Sequence, residues 1–188
     1  KYKKYLLHGV TGSGKTEVYM NIIKSMLAGR KTAIMLVPEI SLTPQMVGLF
    51  TSRFGEDIAV LHSKLSMGER FDEWYRIYDG KARIVIGARS AIFAPLKNVG
   101  VIIIDEEHDN SYLSDSNPRY SAIEVAELRA KANNCSLLLG SATPNVESYY
   151  KTESGEYELI ELPFRVNNKE MPTIEKVDMK EQFQLGNT

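Results

Sequence analysis

The chain has 188 residues, of which 43% are hydrophobic and 25% are charged, and this composition is typical of a globular domain. Its formal net charge of -1 neither indicates nor excludes a polyanion-binding protein, because a local groove can differ from the average. The single cysteine, Cys135, excludes an internal disulfide and a cysteine-rich zinc site, so a reducing, cytoplasmic location is expected. No apolar run approaches the roughly 20 residues that span a bilayer, and no membrane partner is expected.

Six short apolar runs predict the strands of a central sheet. They are continuous rather than alternating, which is typical of strands covered on both faces of a parallel sheet. In chain order they occupy residues 5–7, 33–37, 58–61, 84–86, 101–104 and 137–139. Amphipathic segments separate them, so we expect an α/β fold with a mostly parallel central sheet and helices on both faces.

A glycine-rich segment follows the first predicted strand and opens the first predicted helix. It matches the phosphate-loop pattern G-x-x-x-x-G-K-[ST] in full with eight consecutive residues: Gly9, Val10, Thr11, Gly12, Ser13, Gly14, Lys15 and Thr16. Its backbone N–H groups and the helix N-terminus are suited to bind ATP phosphates, and Lys15 is expected to reach the β- and γ-phosphates. The Thr16 hydroxyl is expected to bind Mg²⁺. The alternative is a tight turn without a ligand.

Residues 66–79 predict a helix that begins with a capping box formed by Ser66 and Glu69. Five apolar side chains recur at helical spacing on one face: Met67, Phe71, Trp74, Tyr75 and Tyr78. This spacing predicts that they belong to the core and not to a platform on which bases stack. For Tyr112 and Tyr120, which lie in a polar loop, base stacking stays open.

The fifth predicted strand runs directly into Asp105, Glu106, Glu107 and His108. The carboxyl ends of strands in open α/β sheets face the ligand crevice, where the second half of an ATPase site belongs. We expect Asp105 to hold Mg²⁺, directly or through water, and Glu106 to polarise the attacking water. The alternative is an acidic cluster that caps the strand in solvent.

Three motifs in this order resemble those of superfamily 2 helicases. They are the phosphate loop, the Asp-Glu-x-His form of residues 105–108 and the Ser-Ala-Thr motif of residues 141–143. Further segments resemble the primosomal protein N′ (PriA) family of replication-restart helicases, namely residues 38–43, 62–63, 86–95 and 108–112. Three ordered motifs are much more specific than one.

This resemblance implies the RecA-like, ATP-binding lobe of an ATP-dependent 3′-to-5′ DNA helicase that acts in replication restart and primosome assembly. It implies ATP and Mg²⁺ as cofactors. The implied partners are forked or single-stranded DNA, single-strand binding protein and primosome proteins. A second lobe with an arginine finger and a zinc insertion are expected elsewhere in such a protein, so no zinc site is expected in this fragment. Two other functions stay open: the motor subunit of a double-strand DNA translocase, and a nucleotide-gated binding module that does not hydrolyse ATP.

The resemblance also assigns roles to polar residues near strand ends. Ser141 and Thr143 are expected to link the γ-phosphate state to movement between the lobes, and Thr143 is expected to cap the next helix as well. His108 is either a bridge to these residues or a structural histidine. Five residues are candidates for contact with the DNA backbone: Glu39, Ser41, Thr43, Arg89 and Ser90. Their alternative is ordinary loop chemistry, in which Thr43 caps a helix.

The pattern changes after Gly155. Residues 157–162 alternate in polarity, Pro163 and Pro172 interrupt the next segment, and the last residues are polar. We therefore predict a RecA-like lobe over residues 1–155. Residues 156–188 are predicted to be an extension that leads toward a second motor lobe, because residues 177–179 resemble the strand before that lobe in the PriA family.

Overall fold

The computed structural model describes residues 1–166, which form seven strands and five α-helices. The strands are β1 (Lys3–Gly9), β2 (Thr32–Leu36), β3 (Ile58–Leu61), β4 (Ile84–Gly87), β5 (Val99–Asp105), β6 (Ser136–Ser141) and β7 (Glu158–Leu162). The helices are α1 (Lys15–Ala28), α2 (Pro44–Phe54), α3 (Met67–Tyr78), α4 (Ala122–Ala132) and α5 (Val146–Glu153). None of these helices is both long and apolar enough to cross a membrane. The strand predicted at 177–179 lies outside the described residues.

The strands form one parallel sheet in the spatial order β3-β4-β2-β5-β6-β1-β7. The six predicted strands and the α/β class are confirmed. Because every strand runs in the same direction, the carboxyl ends of β1, β5 and β6, which are neighbours, meet at one edge of the sheet.

Each face of the sheet carries its own half of the core. On one face, α1 and α2 bury Tyr19 and Phe50. On the other face, α3 buries Ile77 and α4 packs through small residues. Neighbouring strand residues such as Leu6 and Leu7 point into opposite halves and are both fully buried. Coverage of both faces explains why the strand sequences are apolar at consecutive positions.

The sheet continues past residue 155, where the extension was predicted to begin. β7 pairs in parallel with β1 and places Leu159 opposite Leu6. Tyr157, just before this strand, is 3% exposed and packs into the core. β7 lies at the edge of the sheet and most of its residues are exposed, which explains why its sequence lacks the continuous apolar run of the other strands and resembles a connector. The first residues of the predicted extension therefore belong to the sheet.

Side-chain caps begin three of the helices. Ser66 and Glu69 form the predicted capping box of α3, and Ser121 caps α4. At α2 the hydroxyl of Thr43 accepts a hydrogen bond of 3.2 Å from the Met46 N–H. Thr43 thus performs the capping that was the alternative to DNA contact.

The prediction that Thr143 caps the fifth helix is wrong. α5 begins at Val146, and its N-cap residue is Asn145. The Asn145 N–H donates to the Glu107 carboxylate at 2.6 Å, and the Thr143 N–H donates to the Ser141 hydroxyl at 3.0 Å. These bonds to the ends of two neighbouring strands hold the segment outside the helix, and local sequence does not reveal them.

The prediction that the aromatic face of α3 belongs to the core is also wrong. Its five apolar side chains are exposed by 42–84%: Met67, Phe71, Trp74, Tyr75 and Tyr78. α3 packs instead through Ile77, beside β3 at the edge of the sheet. Helical periodicity indicates that a helix has an apolar face, but it does not indicate that the protein covers that face.

Candidate active site

The phosphate-loop residues form a turn between β1 and α1. β1 ends at Gly9 and α1 begins at Lys15. Gly12 and Gly14 have φ angles of 80° and 89°, in the left-handed region that side chains disfavour. A Cβ on Gly9 would lie 2.6 Å from the Ser13 Oγ. The turn therefore requires its glycines, and it places the N-terminus of α1 at the sheet edge, where an anion site is expected.

The Lys15 ammonium lies beside the acidic end of β5. Its Nζ donates to the Gly9 carbonyl at 3.0 Å and is 3.6 Å from the Glu106 Oε1. Asp105 is the last residue of β5, and Glu106 follows with a φ of 46°, which turns the chain sharply out of the strand. The structure thus brings the lysine of the phosphate loop and the two carboxylates to the same edge of the sheet.

Two tyrosines that sequence reasoning missed hold Asp105. The Tyr19 hydroxyl, on the buried face of α1, donates to the Asp105 Oδ1 at 2.8 Å. Gly140 on β6 makes room for it, because a Cβ there would lie 1.8 Å from the tyrosine oxygen. The Tyr112 hydroxyl donates to the Asp105 carbonyl at 2.6 Å. Burial raises the pKa of the Asp105 carboxyl, while the Tyr19 hydrogen bond and the Lys15 charge oppose that shift.

The donors at this edge fit a magnesium-bound nucleotide. Thr16 lies in the first turn of α1 and, with Asp105, offers the oxygen ligands that Mg²⁺ prefers. Mg²⁺ in such sites takes one or two protein ligands and fills its shell with water and phosphate oxygens. Residues 1–166 contain no cluster of three or more His, Cys, Asp or Glu side chains that could hold a metal. The Ser13 Oγ is buried and has no hydrogen-bond partner within the same residues, as expected of a group that faces a phosphate.

His108 connects the acidic loop to the Ser-Ala-Thr motif. Its Nδ1 is 2.8 Å from the Ser141 Oγ and 3.7 Å from the Glu106 Oε2. The Ser141 hydroxyl also accepts the 3.0 Å hydrogen bond from the Thr143 N–H. The three residues predicted to couple hydrolysis to movement therefore form a contact chain, and His108 bridges to Ser141.

Glu107 forms a second connection that sequence reasoning missed. It is 1% exposed, and its carboxylate accepts hydrogen bonds from the N–H and side chain of Asn145 at 2.6 and 3.2 Å. The Ser148 hydroxyl donates to the same carboxylate at 3.0 Å, and the Glu107 N–H donates to the Gly140 carbonyl at 3.1 Å. Because this residue is acidic and lies between two predicted site residues, its sequence gives no sign that it anchors a helix.

The chain returns to the phosphate loop after β7. The Val10 N–H donates to the Leu162 carbonyl at 3.2 Å, and the Val166 N–H donates to the Gly12 carbonyl at 3.0 Å. The Arg165 Cγ is 4.0 Å from the position that a Cβ on Gly12 would occupy. This support was missed because the sequence pattern assigned these residues to an extension.

The five candidates for DNA contact divide into two groups. Glu39, Arg89 and Ser90 line a groove at the carboxyl ends of β3 and β4, whereas Ser41 and Thr43 do not. The Glu39 carboxylate accepts hydrogen bonds from the hydroxyl and the N–H of Ser63. These bonds lower the pKa of the Glu39 carboxyl, and the bond from the hydroxyl has the larger effect. The structure therefore places three of the five candidates on one surface.

The two tyrosines of the polar loop have different environments. Tyr112 is 1% exposed, so a base cannot stack on it. Tyr120 lines the same groove as Arg89, whose guanidinium carbon lies 5.6 Å from the centroid of the Tyr120 ring. Arg89 also donates hydrogen bonds to the carbonyls of Ser111 and Leu113, on either side of Tyr112. The groove and the loop that holds Asp105 are thus in direct contact.

Curated relatives match the chain along its whole length. The replication restart protein PriA of Bacillus subtilis (strain 168) is 56% identical over 187 residues, which are 100% of this chain and 23% of the relative. PriA of Synechocystis sp. is 47% identical over 191 residues, covering 99% of this chain and 23% of the relative. The chain therefore spans about a quarter of the length of these relatives. The resemblance to PriA that the motifs indicated is confirmed.

Comparisons of the fold and of the family model also match the chain to known proteins. A structure of RecG bound to a three-way DNA junction has a TM-score of 0.63 and 24% sequence identity, and the match covers 98% of this chain and 24% of that one. This similarity shows a shared fold. The family model for DEAD/DEAH box helicases matches residues 1–152. The chain therefore belongs to the DEAD/DEAH box helicase family.

Proposed function

We propose that this chain is the ATP-binding motor lobe of a 3′-to-5′ DNA helicase that acts in replication restart. The observation that carries the proposal is the Lys15 ammonium 3.6 Å from the Glu106 carboxylate, beside the end of β5 where Asp105 lies. A phosphate-binding cation and an acidic pair, distant in the chain, share one sheet edge. The direction of movement and the role in restart rest on the similarity to the PriA relatives.

The chemistry is set by the groups at this edge. The N–H groups of the phosphate loop and the Lys15 ammonium bind the phosphates, while the Thr16 hydroxyl and the Asp105 carboxylate hold Mg²⁺. The chemistry that Mg²⁺ would supply there is neutralisation of the charge on the phosphates. A phosphate oxygen replaces the carboxylate as the partner of Lys15, which leaves Glu106 free to orient the attacking water and accept its proton.

The contact chain from Glu106 through His108 to Ser141 and Thr143 supports a coupling role. Any change in the position of the Glu106 carboxylate on hydrolysis alters the surroundings of His108, whose Nδ1 is 3.7 Å away. His108 transmits the change to the Ser141 hydroxyl, which also holds the Thr143 N–H. We infer that Thr143 presents this signal to the second lobe.

The groove lined by Glu39, Arg89 and Ser90 is the surface that we assign to DNA. Its hydroxyl and guanidinium groups are suited to bind a phosphate backbone without reading bases. The second motor lobe, single-strand binding protein, primosome proteins and a cytoplasmic location are proposed from the similarity to PriA. Ser41 and Thr43, which do not line this groove, stay candidates for DNA contact.

The proposal is tested by Glu106→Gln in the full-length protein. We expect phosphate release stimulated by forked DNA to fall by about 10²-fold or more, because the amide cannot accept a proton, while ATP binding is spared. The unsubstituted protein should displace a strand from forks with a 3′ single-stranded tail. Glu147→Gln, which changes an exposed residue of α5, is the matched control.

Each other outcome has a definite meaning. Unchanged turnover in the Glu106→Gln protein would remove the assignment of the water-orienting residue. ATP hydrolysis without strand displacement would favour a double-strand translocase, and ATP binding without hydrolysis would favour a nucleotide-gated module.

A further inference from the structure

The groove at the carboxyl ends of β3 and β4 combines basic and aromatic side chains. Its volume is about 730 Å³. Arg70 and Arg89 supply positive charge, beside the carboxylates of Glu39 and Asp115. Trp74, Phe93 and Tyr120 supply aromatic rings. Grooves that bind single-stranded nucleic acid have this combination, because cations follow the phosphates and flat rings stack on the bases.

Trp74 is held in place by its neighbours and yet remains accessible. It is 42% exposed. Its ring stacks on Tyr78 with centroids 5.2 Å apart and planes at 9°, and it meets Tyr75 edge-on at 5.5 Å. The Lys97 ammonium lies 4.7 Å from the Tyr78 centroid, on the ring that supports Trp74. A ring fixed in this way loses little conformational freedom when a ligand stacks on it.

The groove wall opposite α3 is also fixed. Arg89 donates to the carbonyls of Ser111 and Leu113 and lies over the Tyr120 ring. Phe93 meets Tyr120 edge-on with centroids 5.2 Å apart. Both aromatic walls are therefore present before any ligand binds, and the space between them is lined by arginine, hydroxyl and carboxylate groups.

We propose that Trp74 stacks on a nucleobase of a single DNA strand bound in this groove. The proposal rests on the function proposed above and adds a base contact to the backbone contacts assigned there. The groove disfavours an apolar protein segment, because its four charged side chains, Arg70, Arg89, Glu39 and Asp115, would lose hydration against such a segment. Its exposed aromatic rings favour a nucleobase. Arg70, one turn before Trp74 on α3, is positioned for the phosphate next to the stacked base.

The test uses Trp74 as its own reporter, since it is the single tryptophan of the 188 residues. Oligothymidylate should quench its fluorescence, and a strand of abasic residues of equal length should not. In anisotropy titrations Trp74→Leu should weaken the binding of oligothymidylate by about tenfold. On the abasic strand it should bind as the unsubstituted chain does. Trp74→Phe should retain most of the affinity, because it keeps an aromatic face.

Two controls separate stacking from other effects. Tyr150→Leu removes an aromatic ring that is 66% exposed on α5 and should leave binding unchanged. The dependence of affinity on salt should be the same for Trp74→Leu and the unsubstituted chain, because no phosphate contact is lost. If thermal unfolding shows that Trp74→Leu does not fold, the proposal is tested by the affinity of Trp74→Phe and by the quenching of Trp74 fluorescence in the unsubstituted chain.

Three results would overturn the proposal. Equal affinity of Trp74→Leu and the unsubstituted chain for oligothymidylate would remove the stacking contact and leave the proposed function intact. An equal loss on the abasic strand would assign Trp74 to the fold or to a protein interface. If the unsubstituted chain bound neither strand, the DNA-binding role of the groove would fail together with the stacking.

Discussion

Asp105 lies where function and stability make opposite demands on one side chain. Its carboxyl is largely buried at the end of β5 and accepts a hydrogen bond from the Tyr19 hydroxyl at 2.8 Å. Burial disfavours the charged form and raises its pKa, although Tyr19 and Lys15 partly offset this. A bound Mg²⁺ requires the charged form, so the metal-free protein holds a carboxylate in a place suited to a neutral group.

The replacement Asp105→Asn should therefore stabilise the metal-free protein. A carboxyl whose folded pKa is raised contributes stability below its unfolded pKa, and this contribution is lost as the pH rises through the folded pKa. At about pH 7 we expect the asparagine variant to have a free energy of unfolding higher by about 1 kcal/mol, and the difference should shrink toward about pH 4. Denaturant unfolding without Mg²⁺ or nucleotide measures this. A less stable variant at neutral pH would contradict the role assigned to burial.

The roles of Tyr19 and Glu107 could not be predicted from sequence for a shared physical reason. Tyr19 occupies an apolar position of α1, and its hydroxyl becomes relevant only because Gly140, on another strand, leaves space for it beside Asp105. Glu107 follows two expected site residues, and its partners lie at the start of α5. Motif spacing finds residues that contact a ligand, whereas these two residues contact other parts of the protein.

At the scale of elements, the link between β5 and α5 joins the acidic motif to the Ser-Ala-Thr motif. The Glu107 carboxylate accepts three hydrogen bonds from Asn145 and Ser148, at the start of α5. These bonds place the helix relative to Ser141, which itself contacts His108. The position of α5 is thus set by the same segment that carries Asp105 and Glu106.

Replacement of Glu107 by Gln should loosen this link. The glutamine amide group presents a donor where the carboxylate accepted bonds, so at least one donor of Asn145 or Ser148 loses its partner on the buried Glu107 side chain. We expect a loss of about 1–3 kcal/mol in the free energy of unfolding, measured by denaturant titration. Glu147→Gln, an exposed change in the first turn of α5, should lower the free energy of unfolding by no more than a few tenths of a kcal/mol. Equal effects of the two substitutions would show that the Glu107 bonds do not position α5.

The elements that sequence predicted well are those whose surroundings their own residues determine. The six predicted strands are apolar at consecutive positions, and the capping box at Ser66 is local. The errors arose where a distant partner decides the outcome. β7 joins the sheet through β1, the start of α5 is fixed by Glu107, and the aromatic face of α3 extends beside the edge strand β3.

At the scale of the whole molecule, the site belongs to no single element. The phosphate loop follows β1, the carboxylates follow β5, and the Ser-Ala-Thr motif follows β6. The parallel order β5-β6-β1 brings the three together. The segment after β7 then supports the phosphate loop through the Val166–Gly12 hydrogen bond of 3.0 Å. The sheet therefore brings to one edge the groups that we propose bind the phosphates and orient water.

Phosphoryl transfer also needs a cation beside the transferring group, and we expect a second domain to supply it. The charge that develops on this group is usually stabilised by an arginine from a second domain or a partner, which raises the rate by about 10³–10⁵-fold. We therefore expect the 188-residue chain alone to bind Mg–ATP and to hydrolyse it slowly, with little stimulation by DNA. Titration with a fluorescent ATP analogue and a phosphate-release assay measure the two properties, and Lys15→Ala should abolish the binding.

The same assays on the full-length protein complete the comparison, since binding should be similar and turnover much faster. Strong DNA-stimulated turnover by the chain alone would contradict this division between two lobes. In that case Arg165, which lies beside Gly12 in the phosphate loop, is the first residue to replace, because it could supply the missing charge from within the chain. Retention of the activity in Arg165→Ala would then exclude that source as well.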